Sequence, residues 1–181
     1  MASFKFSSFM TIFFLVISYS FNVCHADRAL IDSICKPSED YAFCISPVGN
    51  DPRAANADLH GLTLVSFSVT AIYIQDTLDK IYNLVQQLKD PVSQTRLKLC
   101  QSDYNEALSY FQSSFTATSR DAFFEATDSV RIGTNKVKDC HNRFMSNSAP
   151  LAISPIAGDD ANVLKFSGII LIAIDKLIPN K

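Results

Sequence analysis

Apolar positions between Ala57 and Asp90 recur with helical spacing. Leu64, Phe67, Ala71, Ile74, Leu78, Ile81, Val85 and Leu88 follow one another at steps of 3, 4, 3, 4, 3, 4 and 3. That rhythm lays a continuous apolar seam along one side of a helix. Leu62, Val65, Val69 and Ile72 widen its first half, while Gln75, Asp79, Lys80, Gln86 and Lys89 take the other side. At about 1.5 Å per residue, this proline-free stretch makes a helix roughly 50 Å long. A helix of that length needs partners of similar length beside it.

Three more segments supply them. Leu97, Cys100, Tyr104, Ala107 and Phe111 repeat the same step, with Leu108 and Phe115 widening the face. The hydroxyl-rich Ser113–Ser119 reads as a turn. From Asp121 onward, Phe123, Ala126, Val130, Gly133, Val137, Cys140 and Phe144 form a third seam. Ser146–Pro155 reads as a loop. Asp159-Asp160 then reads as the cap of a last helix with its seam at Val163, Phe166, Ile170, Ala173 and Leu177. Asn50-Asp51-Pro52 and Asp90-Pro91 each place an aspartate cap before a proline at the first helical position, and so mark the starts of the first two long helices.

Upstream, Asp27–Ile34 is a short helical pattern with Leu30, Ile31 and Ile34 on one side. Ser38-Glu39-Asp40 opens a second, which carries Tyr41, Phe43 and Ile45 and is limited by Pro47. Two such helices make a hairpin around Lys36-Pro37, too short to persist without packing on something larger. The pattern as a whole predicts an all-α, up-down-up-down four-helix bundle with a short N-terminal helical hairpin.

Composition agrees. Glycine is scarce, at 5 of 181 residues, and no sustained run alternates as a half-buried strand does. The length suits one domain with a substantial core. A net charge of −2 gives no general attraction to nucleic acid or an anionic membrane surface. The first 26 residues differ from the rest: Lys5 is their only lysine or arginine, they have no acid, and Phe9–Phe21 is an apolar run. With Cys24-His25-Ala26 after it, this reads as a secretory signal peptide cut after Ala26, leaving residues 27–181 as the mature domain. The run falls short of the roughly 20 residues that span a bilayer, so no membrane attachment is expected after cleavage. The mature chain keeps 15 Lys+Arg against 18 Asp+Glu, a net −3.

The same cut removes Cys24 and leaves Cys35, Cys44, Cys100 and Cys140. An even number in a secreted chain points to two disulfides with three connectivities to choose from. Spacing favours Cys35–Cys44 as a local staple and Cys100–Cys140 as a long-range one. Cys100 and Cys140 also fall on the seams of consecutive antiparallel helices. No CxxC pair is present and neither His60 nor His141 stands at ligand spacing to a cysteine pair, so no metal site is expected.

Catalytic motifs are absent. The chain has no Gly-x-Ser-x-Gly elbow, no phosphate-binding glycine loop and no His-Glu-x-x-His. His60 lies in line with the apolar seam and reads as a partly buried, hydrogen-bonded histidine. His141 reads as a solvated helix residue, and most carboxylates as caps or solvated faces. Phe67, Tyr104, Phe111, Phe115, Phe123, Phe144 and Phe166 sit at core spacing and fill the bundle rather than line a lipid pocket. Two non-enzyme classes remain, a carrier of apolar ligands and a rigid protein-binding module. The stapled bundle favours the second, because a preorganised surface loses little entropy on binding. No cofactor is expected, and the domain is read as a monomer.

Several residues in order resemble the plant invertase and pectin methylesterase inhibitor family. They are Ile34-Cys35, Cys44, Asn50-Asp51-Pro52-Arg53, Ala57-Asp58-Leu59-His60-Gly61-Leu62, Cys100 with Tyr104 and Ala107-Leu108, Cys140 with Phe144, and Ser154-Pro155. The resemblance covers about residues 28–178. It implies a four-helix bundle with an N-terminal hairpin and disulfides in the 1–2, 3–4 pattern. It also implies secretion to the cell wall or vacuole, and inhibition of a carbohydrate-active enzyme by a one-to-one complex that covers the active-site cleft.

The target follows from finer features. Cell-wall invertase inhibitors of this family often carry Pro-Lys-Phe between the third and fourth bundle helices. Asp121-Ala122-Phe123 stands in that neighbourhood here, without the proline and lysine. Pectin methylesterase inhibitors tend to present acidic and polar side chains from the helices bearing the third and fourth cysteines. The matching outward positions are Ser102, Glu106 and Ser109 on one helix, and Asp139 and Asn142 on the next. The same five residues would also suit an ordinary solvated face. The chain ends without a catalytic domain, so a stand-alone inhibitor in the apoplast is expected. Pectin methylesterase is the expected target, acid invertase the alternative, and an apolar-ligand carrier the outside reading. The likeness extends to pollen members of the family labelled invertase inhibitors on similarity alone.

Overall fold

The computed structural model describes residues 24–145 and 153–179. Residues 1–23, which hold most of the expected signal peptide, and 146–152 of the expected Ser146–Pro155 loop lie outside the described residues. Among the described residues, six α-helices follow one another: α1 Cys24–Cys35, α2 Tyr41–Cys44, α3 Leu59–Gln87, α4 Pro91–Ser119, α5 Phe123–Met145 and α6 Ala157–Leu177. A π turn over Ile45–Gly49 and a 3₁₀ turn over Pro52–Asn56 join α2 to α3.

The four long helices close into a ring. α3 packs on α4, α4 on α5, α5 on α6, and α6 back on α3. The 3–4 spacing dictates this, because each seam must be covered along its whole length. Phe67, Ile74, Leu78, Ile81 and Val85 of α3 meet Leu97, Tyr104 and Phe111 of α4, Val130, Val137 and Phe144 of α5, and Val163 and Ile170 of α6 in one buried cluster. Cys100 and Cys140 lie inside it, joined by a disulfide between α4 and α5. Closing that 40-residue separation stabilises the fold by about 4 kcal/mol on the loop-entropy scale.

The hairpin lies against this ring. Ile31, Ile34, Val48 and Ala54 pack with Leu62 of α3 and with Phe166, Ile169 and Ala173 of α6 in a second cluster, which the Cys35–Cys44 disulfide stitches. Phe43 meets Phe166 edge-on at 4.8 Å between ring centroids. Lys165 Nζ donates to Asp40 at 2.8 Å and also lies over the Phe43 ring.

Several details differ from the sequence reading. Asp51-Pro52 opens only the 3₁₀ turn, and α3 is capped instead by Asp58, whose side chain accepts from the Gly61 amide at 2.7 Å. Pro47 does not end the second hairpin helix but sits within the π turn. Ser113–Ser119 is not a turn: α4 runs through it. Ser113 and Thr116 donate back to the carbonyls of Ser109 and Gln112, and Ser114 donates across to the Ala126 carbonyl at 2.7 Å. Asp159 and Asp160 do not cap α6, which begins two residues earlier behind Ile156; they occupy its first turn. On α3, Ile72 faces solvent rather than widening the buried seam. Buried Thr63, Ser66, Thr70 and Thr77 take core positions instead, each donating its hydroxyl to the carbonyl four residues back. Of the seven aromatics read as core, Phe67, Tyr104, Phe111, Phe144 and Phe166 are buried, Phe123 is half-buried, and Phe115 is partly exposed beside Phe67.

Candidate interaction face

α4 and α5 run antiparallel, pinned by Cys100–Cys140 near one end and by the close approach of Gly133 to Phe111 further along. Antiparallel pairing places α4 residues a turn beyond Cys100 opposite α5 residues a turn before Cys140. Glu106 and Lys136 meet this way, with Oε2 and Nζ 2.6 Å apart. Close to the disulfide, buried Asp103 accepts both a 2.6 Å bond from Arg143 Nε and a 2.8 Å bond from its Nη2. Such a bidentate, partly desolvated pair is strong and geometrically specific. The side-chain bond to Glu106 holds the Lys136 ammonium above its ordinary pKa, and Asp139 adds to that field.

All five outward positions expected from the sequence are solvent-exposed: Ser102, Glu106 and Ser109 on α4, and Asp139 and Asn142 on α5. Glu106 is not a free carboxylate, however, being tied to Lys136. What the sequence reading missed is the alternation of charge between these helices, from Asp103–Arg143 past Asp139 to Lys136–Glu106. Lys136 and Arg143 stand seven residues apart on either side of Cys140, and Asp103 and Glu106 three apart. That heptad and half-heptad spacing of opposite charge was its only available signal.

Asp121-Ala122-Phe123 lies in the turn between α4 and α5, the second and third long helices, not between the third and fourth. Asp121 adopts φ 60°, and its amide donates to the Thr118 carbonyl. His60 lies 2.9 Å from that same carbonyl through Nε2, as the partly buried, hydrogen-bonded histidine its seam position implies.

His141 is not simply solvated. Its Nδ1 lies 3.2 Å from Oδ2 of Asp160, whose Oδ1 accepts a 2.7 Å bond from the Tyr104 hydroxyl. Asp159 beside it accepts from Lys80 and Tyr73 of α3. The first turn of α6 is therefore fastened to each of the other three long helices.

Among the described residues, no group of three or more His, Cys, Asp or Glu could hold a metal ion, and no helix is long and apolar enough to cross a membrane. A cleft of about 660 Å³ is lined by Pro37, Phe124, Leu171, Ile172 and Ile178 among others. It opens on the surface, whereas the ring's own centre is filled by Tyr104, Phe67, Phe111 and Phe144.

A doubly stapled helical ring with a filled core defines a rigid recognition module. The chain belongs to the plant invertase/pectin methylesterase inhibitor family, whose pattern matches residues 29–171. That family consists of protein inhibitors of enzymes, not catalysts. The chain is 31% identical over 149 residues to pectinesterase inhibitor 5 of Arabidopsis thaliana, spanning 82% of this chain and 83% of that protein. It is 25% identical over 174 residues to cell wall / vacuolar inhibitor of fructosidase 2 of Arabidopsis thaliana, spanning 92% and 97%. The crystal structure of a mutant form of a pectin methylesterase inhibitor from Arabidopsis has the same fold, with a TM-score of 0.70 at 18% identity, covering 83% of this chain and 98% of that one.

Proposed function

We propose that this protein is a secreted inhibitor of pectin methylesterase that acts by a one-to-one complex covering the enzyme's active-site cleft. The observation that carries the choice of target is the 31% identity with a pectinesterase inhibitor over more than four-fifths of both chains. The outward face of α4 and α5, with Ser102, Glu106, Ser109, Asp139 and Asn142, is the proposed contact surface. It stands on the two helices that the buried disulfide joins, and a preorganised surface loses less entropy on docking. Residues 1–26 are proposed to direct secretion to the apoplast, leaving residues 27–181 as the inhibitor domain.

Acid invertase is the second reading. The fructosidase inhibitor matches along nearly the whole of both chains, at lower identity. Against it, the sequence contains no Pro-Lys-Phe, the tripeptide expected of the cell-wall invertase inhibitors.

The deciding experiment titrates oxidised protein, residues 27–181, against a plant pectin methylesterase and a plant acid invertase at one mildly acidic pH. Loss of esterase activity at one equivalent, with invertase untouched, is the expected result. Inhibition of invertase alone would reverse the assignment, and inhibition of neither would remove both.

A further inference from the structure

Among the described helices, two stretches of more than ten residues carry no Asp, Glu, Lys or Arg: Leu59–Gln75 and Ala107–Ser119. Each forms part of a surface helix in a chain whose residues are 19% charged. The fold sets them side by side. The first is the opening half of α3 and the second the closing half of α4, and these helices pack against each other. Phe67 meets Phe115 at 6.5 Å between ring centroids, and His60 Nε2 lies 2.9 Å from the Thr118 carbonyl. The result is one continuous uncharged area. Exposed charged residues bound it in sequence at all four ends: Asp58 and Asp76 on α3, and Glu106 and Arg120 on α4.

The uncharged area is not simply covered core. Ile72 is 59% exposed and Phe115 is 37% exposed. Around them Gln75, Ser109 and Gln112 also face solvent. A solvated protein surface carries charge at about a quarter to a third of its positions, and the exposed positions of α5 exceed that with Glu125, Asp128, Arg131, Lys138 and Asp139. An exposed aromatic and aliphatic side chain in an area depleted of charge, inside a charged margin, is instead the pattern of the centre of a protein–protein contact.

We propose that the charge-free α3–α4 surface, on which Ile72 and Phe115 are exposed, is the centre of the contact with pectin methylesterase. This rests on the reading of the protein as an inhibitor of pectin methylesterase. It moves the centre of the contact from the charged α4–α5 ladder to the neighbouring pair of helices. Two helices of about 10 Å diameter over roughly 25 Å offer on the order of 500 Å². A stable interface needs about 800 Å² from each partner. The remainder comes from the adjoining outward residues of α4, Ser102 and Glu106, so the two surfaces are one footprint with a neutral centre and a charged margin. The enzyme surface that meets the centre is itself uncharged, because an unpaired charge buried there would lose its water without compensation.

The test uses oxidised protein, residues 27–181, in the paired inhibition assay, with Ile72→Lys and Gln112→Lys as the informative variants and Lys176→Glu on α6 as the control. All three side chains are exposed, so each variant is checked for unchanged helicity and melting temperature. Ile72→Lys and Gln112→Lys are each expected to raise the inhibition constant by at least about tenfold, and Lys176→Glu to leave it within about twofold. Amide exchange within 59–75 and 107–119 is expected to slow when the inhibited enzyme is added. If the wild-type chain inhibits pectin methylesterase and both lysine variants match it, this placement is wrong while the inhibitor reading stands. If the wild-type chain leaves that enzyme uninhibited, both fall together.

Discussion

The hydroxyl of Tyr104 donates a 2.7 Å hydrogen bond to Oδ1 of Asp160, a carboxylate that is 1% exposed. Three helices converge on that one group, α4 through Tyr104, α5 through His141 and α6 through Asp160 itself. Burial disfavours its charge and raises its pKa above the ordinary carboxylate value, against the opposing pull of Tyr104 and His141.

The sign of the pH effect follows from that direction. The folded chain holds the Asp160 proton more tightly than the unfolded chain does. Asp160 therefore favours folding below the ordinary carboxylate pKa of about 4, and this contribution fades as pH rises through the raised value. Asp160→Asn, close in shape, is expected to gain on the wild type in denaturant midpoint between acid and neutral pH. Parallel midpoints for the two chains would contradict this. Tyr104→Phe removes one hydrogen bond to a buried charge and is expected to cost about 2 kcal/mol at neutral pH, read from the same unfolding curves.

Reversing both Glu106 and Asp139 to lysine places ammonium groups beside Lys136 and Arg143. The Glu106–Lys136 pair is exposed, so its loss affects folding little. Inhibition of pectin methylesterase is expected to weaken by at least about tenfold, which is 1.4 kcal/mol, with the melting temperature nearly unchanged. A full-strength double variant would remove these two carboxylates from the contact.

Asp40 behaves oppositely to Asp160. The bond from Lys165, reinforced by the Phe43 amide, holds its carboxyl below the ordinary value. Its contribution is thus present above the ordinary carboxylate pKa and is lost as pH falls through the depressed one. Amides of α2 are expected to exchange faster at strongly acid pH while those of α3 hold. Lys165→Met is expected to give the fast exchange already at neutral pH. Equal exchange in the variant and the wild type would refute the role of this contact.

At Gly133 two effects compete. Alanine gains about 1 kcal/mol of helix propensity, but its Cβ would lie 3.1 Å from two carbons of the Phe111 ring and 3.2 Å from Tyr110 Cβ. Phe111 is buried, and overpacking of this kind costs about 1–3 kcal/mol. Gly133→Ala is expected to destabilise the bundle by about 1 kcal/mol in chemical denaturation; a more stable variant would mean that α5 can shift away from α4.

The long-helix seams were legible because burial at 3–4 spacing leaves a periodic trace that local chemistry cannot erase. Cys35–Cys44 and Cys100–Cys140 were legible for a related reason, as spacing and seam position agreed. Ser113–Ser119 misled because hydroxyl groups compete with the backbone in isolation. Here they bond within α4 and across to Ala126, so the helix continues. Asp51-Pro52 misled because a cap and a proline start any helical turn, including the one-turn 3₁₀ segment found there. His141 and Asp160 could not be paired from the sequence, since their separation of 19 positions carries no period linking the two. The neutral α3–α4 surface was visible in outline as two charge-free runs, but only antiparallel packing reveals that they make a single area.

The docking of the hairpin has a consequence for the order in which this chain can fold. α1 and α2 leave the ribosome first, yet Phe166, Ile169, Ala173 and Lys165, which they need, belong to the helix made last. The Asp40–Lys165 bond closes a separation of 125 residues. Until α6 arrives, the hairpin has only Leu62 and its neighbours on α3 to pack against, and the ring stands open on one side. Synthesis from the N-terminus therefore cannot complete the fold piece by piece. The chain stays unfinished until its final helix is delivered, the condition in which a polypeptide can still be threaded through a narrow pore.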